Sequence, residues 1–159
     1  MFTQTDYSGT RAGQYAMLGK QLDALLEGET NTIANLSNAS ALLNQFLDRI
    51  NWVGFYLMDG SELVLGPFQG LPACVRIQIG RGVCGTAVSE KKTMLVEDVH
   101  AFPGHIACDA ASRSEIVVPL IKNGEVIGVL DIDSPELSRF TQDDQAGLEK
   151  FAETLIKHL

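Results

Sequence analysis

The chain has no apolar run long enough to span a bilayer and no block of lysines or arginines. The first absence argues against a membrane protein. The second, together with a net charge of −8, argues against nucleic acid and anionic lipid as partners, because an acidic surface repels phosphate. Residues 1–15 are polar and hold no apolar signal-peptide core, so the expected location is a reducing cytoplasm. Prolines number only 5, and no Gly/Pro/Ser-rich linker divides the 159 residues. One domain is therefore expected over 13–159, with 1–12 as a flexible N-terminus. Cysteine is scarce as well. An odd count of 3 excludes a fully paired structural framework, and it suits a reactive thiol with helpers at least as well as inert core residues. The closely spaced chelate pairs of zinc sites are missing, and His105-x-x-Cys108 is a single weak pair, so neither a metal nor an organic cofactor is expected.

What is present reads as helices, then antiparallel strands, then a helix. Leu18, Leu22, Leu25 and Leu26 recur at helical spacing and predict a first helix ending near Gly28. Thr30 is expected to cap a second helix, whose apolar face is Ile33, Leu36, Leu42, Leu43, Phe46 and Leu47. Aromatic and β-branched residues then take over at 50–57, and Asp59-Gly60 turns the chain into 62–65. Strands are expected at 73–79 and 93–96, with a short helix between them that follows Gly80-Arg-Gly-Val-Cys-Gly85 and runs through Glu90. A polar loop over 97–113 carries His100, His105 and Cys108. Segments 115–121 and 126–133 flank Asn123-Gly124, the clearest hairpin in the chain. Thr141, with Asp143 and Asp144 in the first turn, caps a closing helix to Leu159. The class is α+β: a central antiparallel sheet with the N-terminal and C-terminal helices packed on one face.

Several residues carry chemical potential. Cys108 precedes Asp109-Ala-Ala-Ser112, read as a helical turn whose amino end favours a thiolate, and His105 stands three residues away. Cys84 sits among glycines at a helix start, and local physics does not rank it below Cys108. Glu115 opens one apolar strand, while Asp131 and Asp133 close the next on a single face. A hairpin centred on Asn123-Gly124 brings the three together. Gathered like charges raise at least one pKa and keep a carboxylic acid protonated, leaving the others for an ammonium group. Trp52, the only tryptophan, is either core or an apolar wall of a site. Gly80, Gly82 and Gly85 read as turn residues, too few for a phosphate loop.

Asn51-Trp-Val-Gly-Phe-Tyr56, Leu65-Gly-Pro-Phe-Gln-Gly70, Ala73-Cys-Val-Arg-Ile77 and Gly80-Arg-Gly-Val-Cys-Gly-Thr86 together resemble the free methionine-(R)-sulfoxide reductases, which are single GAF domains. Glu97-Asp-Val-His100, Gly104-His-Ile-Ala-Cys-Asp-Ala-Ala-Ser112, Ser114-Glu115 and Gly128-Val-Leu-Asp-Ile-Asp-Ser134 extend the likeness over roughly residues 30–145. The resemblance implies a GAF fold and reduction of free L-methionine (R)-sulfoxide to L-methionine. It implies Cys108 as nucleophile, Cys74 as the thiol that closes a disulfide on it, and Cys84 as auxiliary. Trp52 would face the methyl group on sulfur. From their clustering rather than from the resemblance, Glu115 and Asp133 are expected to handle the proton and, with Asp131, to bind substrate. Thioredoxin would be the reductant. Leu71 departs from the basic or polar residue expected of relatives. A non-catalytic GAF module binding a small ligand, or a thiol redox sensor, is the alternative, and oligomeric state is left open, a homodimer included.

Overall fold

The computed structural model describes residues 3, 5–106 and 108–159; positions 1, 2 and 4 of the expected flexible N-terminus and position 107 of the Cys108 loop lie outside the described residues. Helix α1 (Arg11–Leu26) begins where the Thr10 side chain accepts the Gly13 N–H, and Leu18, Leu22 and Leu26 on its inner face are completely buried. Helix α2 (Thr32–Phe46) begins later than the Thr30 cap requires. Asn31 is the cap, accepting from the Ala34 N–H, while the Glu29 carboxylate takes the amides of Thr30 and Asn31. Asparagine caps at least as well as threonine, and the Glu29 bonds hold Thr30 outside the helix.

Six strands follow: β1 (Trp52–Asp59), β2 (Glu62–Gly70), β3 (Arg76–Gln78), β4 (Met94–Val96), β5 (Ser114–Lys122) and β6 (Glu125–Ser134). They form one sheet in the order β3-β2-β1-β6-β5-β4, with every neighbouring pair antiparallel. The strand expected at 73–79 is shorter than its pattern, because the Cys74 carbonyl accepts from the Tyr56 hydroxyl instead of a ladder partner. The β5–β6 hairpin turns at Asn123 and Gly124, with φ of 53° and 80°, the left-handed pair that matches strand twist.

Side chains alternate across this sheet and sort its two faces. Val53, Phe55, Ile116, Val118, Leu130 and Ile132 face α1, α2 and the closing helix α4 (Gln142–Ile156) in one large core. Trp52, Tyr56, Val117 and Val129 face the other way, into a smaller core with helix α3 (Gly82–Glu90). Burying Phe55 or Leu130 completely stabilises the helical side by roughly 2–3 kcal/mol each. The helical face is the structural one. The α3 face holds the cleft.

Candidate active site

Strand β1 supplies the aromatic wall. Period-two alternation places Trp52, Gly54 and Tyr56 on the α3 face. A Cβ on Gly54 would stand 2.2 Å from the Phe68 Cβ, so glycine is what lets β2 bring Phe68 this close. Phe68 stacks on Trp52 at 5.1 Å between ring centroids, and Trp52 stacks on Tyr56 at 5.9 Å. The wall is pinned at both ends. The Trp52 indole N–H donates to the Leu71 carbonyl at 3.1 Å, and the Tyr56 hydroxyl donates to the Cys74 carbonyl at 2.8 Å. Parity with Trp52 was the signal by which Tyr56 could have been found.

Strands β5 and β6 supply the acids. Register sets Glu115 opposite Asp133 and Val117 opposite Asp131, while β1 sets Trp52 opposite Asp133 and Gly54 opposite Asp131. Three carboxyls and the aromatic wall thus share one patch, as the hairpin reading expects of the carboxyls. Glu115 and Asp131 are only 7% and 5% exposed. Cys84, in the first turn of α3, places its sulfur within 4.8 Å of a carboxyl oxygen from each of them. Burial first, then the charges of Asp131 and Asp133, push the Glu115 carboxyl well above its usual range. Glu115 faces both aspartates across this patch, and the buried Asp131 Oδ1 has no hydrogen-bond partner of its own among the described residues. Burial likewise raises Asp131, against the opposing hydrogen bonds from Glu115 and Cys84. Asp133 is raised well above its ordinary value by burial and by the charge of Asp131. Burial and then Asp131 push the Cys84 thiol up. No cation offsets these charges among the groups that act on them. Cys84, Glu115 and Asp131 are the described donors here with metal-like spacing, and a metal would compete with protons for all three.

The loop between β4 and β5 brings in the thiol pair. Cys108 is disulfide-bonded to Cys74, with Cα atoms 5.5 Å apart, and Cys108 lines the cleft beside Glu115, Asp131 and Asp133. The turn expected after Cys108 is a single hydrogen-bonded one, the Ser112 N–H donating to the Asp109 carbonyl at 3.2 Å, and it does not continue into a helix. Asp109 instead folds back, its carboxylate accepting the Ala111 amide at 2.9 Å in an Asx turn, so no helix amino end faces the sulfur. Its other oxygen accepts from the Asn51 side-chain amide at 2.9 Å, and the same amide reaches the Ser112 hydroxyl at 3.1 Å. The Asn51 backbone N–H donates to the Asp133 carbonyl at 2.9 Å, so this residue ties the Cys108 loop to the acidic strand. Sequence reasoning missed this clamp. His105 also lines the cleft, but burial, then the charge of His100, pushes its pKa below the ordinary imidazole value rather than leaving it unperturbed. Arg81, likewise unassigned from sequence, is the permanently cationic side chain among the described lining residues. The cleft has a volume of about 50 Å³, room for a few waters.

A GAF domain matches this chain over residues 21–159, which defines its class. The free methionine-R-sulfoxide reductase of Escherichia coli (strain K12) is 57% identical over 145 residues, spanning 91% of this chain and 88% of that protein. The fRMsr of Staphylococcus aureus in complex with substrate is 57% identical, with a TM-score of 0.88 over 98% of this chain and 99% of that one. The free methionine-R-sulfoxide reductase of Neisseria meningitidis in complex with its substrate is 45% identical, with a TM-score of 0.94 over 99% and 95%. The chain belongs to the free methionine-R-sulfoxide reductases.

Proposed function

We propose that the chain is an oxidoreductase that reduces free L-methionine (R)-sulfoxide to L-methionine, with the Cys108 thiolate attacking the sulfoxide sulfur. Oxide is a very poor leaving group, so the oxygen must receive a proton as it transfers. Glu115 is the natural donor, since burial and the neighbouring charges of Asp131 and Asp133 favour its protonated form. Methionine leaves and Cys108 becomes a sulfenic acid. The Cys74 thiol then condenses with it, forming the S–S bond and releasing water. A dithiol such as thioredoxin restores both thiols by exchange. Trp52 and Tyr56 offer the methyl group and sulfur a flat apolar surface, which also suits positive charge developing on sulfur. Asp131 and Asp133 are suited to an unblocked ammonium, which favours the free amino acid over a peptide. Cys84 is auxiliary, its raised thiol standing beside Glu115 and Asp131.

The observation that carries this reading is the Cys74–Cys108 bridge, whose Cys108 lines the same cleft as the buried Glu115 and Asp131, the half-buried Asp133 and an aromatic wall. A cleft with room for only a few waters fits the state after methionine has left. Reduced enzyme given the sulfoxide and no reductant should release about one methionine per chain and acquire a Cys74–Cys108 disulfide, the stoichiometry of the sulfenic acid route. Peptide mapping without reducing agent reads the bridge. Cys108→Ser should release none, while Cys84→Ser should keep substantial activity. A dead Cys84→Ser enzyme beside an active Cys108→Ser enzyme would overturn the assignment.

A further inference from the structure

Most large apolar side chains left exposed on this surface stand singly, as Met17, Ile33, Ile121 and Leu137 do. Isolated cases of that kind need no explanation. Leu71, Val75 and Ile79 are different. They share one short stretch at 63%, 58% and 37% exposure, and Cys74 lies between the first two. The charge pattern singles out the same stretch. The longest part of the chain without a carboxylate runs from Leu63 to Ser89, and it carries Arg76 and Arg81 in a protein of net charge −8. Arg76 is paired with Glu62 at 2.7 Å and lies 3.7 Å from Asp59, so its charge is matched at the edge of this apolar stretch.

The other half of the disulfide has the opposite setting. Cys108 lines the cleft and is followed by Asp109, whose carboxylate repels an incoming thiolate. Cys74 is not among the residues that line the cleft, and it is half-buried, as Cys108 is. Thiol exchange requires a thiolate to reach one particular sulfur, so the two cysteines are not equivalent targets.

We propose that residues 71–79 are the docking face for the protein dithiol that resets the enzyme, and that its thiolate attacks Sγ of Cys74. This rests on the disulfide-forming reaction of the preceding section. The occupant is a disulfide reductase whose reactive thiol is set in an apolar, uncharged surface, complementary to Leu71, Val75 and Ile79. In the first exchange a bond forms between the partner sulfur and Cys74, the Cys74–Cys108 bond breaks, and Cys108 leaves as a thiolate that takes up a proton. The partner's second thiol then attacks its own mixed-disulfide sulfur and releases Cys74. The partner ends as a disulfide and the enzyme as a dithiol. Cys108, the nucleophile of the next cycle, is thus freed first and never carries the partner.

Two measurements test this. Val75→Lys, alone and with Ile79→Lys, should raise the KM for thioredoxin by about tenfold, the cost of burying an unpaired charge in a small interface. Turnover driven by dithiothreitol, which needs no docking face, should be unchanged. In the second, a thioredoxin with its resolving cysteine replaced by serine is mixed with the oxidised wild-type enzyme, and the trapped mixed disulfide is mapped. It should sit on Cys74. A partner on Cys108, a thioredoxin KM that ignores both variants, or a wild-type enzyme that thioredoxin does not reduce would overturn the docking face while dithiothreitol turnover continues. Loss of wild-type dithiothreitol turnover would instead bring down the underlying reaction, and the proposal with it.

Discussion

Asp144 and Glu115 are both almost completely buried, yet one is surrounded by donors and cations and the other by acids. Asp144 caps α4 and accepts from the Tyr15 hydroxyl at 2.7 Å, from Arg11 at 3.3 Å and from the buried Arg139 at 3.4 Å. Burial alone would raise its pKa, but the Tyr15 hydroxyl, the Thr141 amide and the two arginines outweigh it and hold the carboxyl below its ordinary value. Around Glu115 there is no such compensation, and its proton stays on. The same side-chain chemistry therefore serves opposite ends. Where three elements must be joined, the charge is matched. Where an oxygen must be protonated, the charge is prevented from forming.

The largest effect of breaking this contrast is expected at the matched site. Asp144→Asn takes a buried carboxylate from Tyr15, Arg11 and Arg139 together, although Arg139 keeps Asp48 at 3.0 Å, and should cost about 2 kcal/mol in denaturant unfolding at neutral pH. Glu115→Gln should act in the other direction, leaving stability unchanged or raising it by up to about 1 kcal/mol, because it removes an acid held among acids. The pH dependence sharpens the point. Glu115 has a folded pKa above its ordinary 4.5, so its contribution is present below that value and lost as pH rises through the folded pKa. Asp144 has a folded pKa below its ordinary 3.8, so its contribution is present above 3.8 and lost as pH falls through the folded pKa. Melting temperatures across pH should therefore show Glu115→Gln flattening the decline toward alkaline pH, and Asp144→Asn flattening the decline at the acid end. The smallest effect is expected from Arg11→Ala, about 1 kcal/mol or less, since that side chain is 30% exposed and Asp144 keeps Tyr15 and Arg139.

The two regions also differ in how far the sequence disclosed them. The acid cluster was legible because its geometry is local: Asn123-Gly124 sets the hairpin, the hairpin sets the register, and Glu115 falls opposite Asp133. The Asp144 network was not, because Tyr15 lies 129 residues away and only α1 packing on α4 joins them. The capping box at Thr141 and Asp144 could be seen, but not that its carboxylate would also receive two arginines. The same limit applies to the cleft. Cys74 and Cys108 stand 34 residues apart and meet through loops, so their pairing was implied by resemblance and by no spacing rule. Asn51 looked like the start of a strand, and its side-chain bonds to Asp109 and Ser112 became visible only when the loop closed over it. The turn after Cys108 was legible as a turn, but its arrest after one hydrogen bond, with the Asp109 carboxylate on the Ala111 amide, was not. The lowered pKa of His105 was not legible either, because neither its burial nor the approach of His100, 5.9 Å away between ring centroids, is written in the local sequence.

The central claim is that the unmatched acid cluster, and not the histidine of the loop, protonates the departing oxygen. Single-turnover release of methionine from reduced enzyme, followed across pH for wild type, Glu115→Gln and His105→Asn, tests it most directly. Glu115→Gln should lose on the order of 10²-fold in this step, and His105→Asn should stay within a few-fold of wild type. A near-normal Glu115→Gln rate beside a collapsed His105→Asn rate would contradict the account and make histidine the acid.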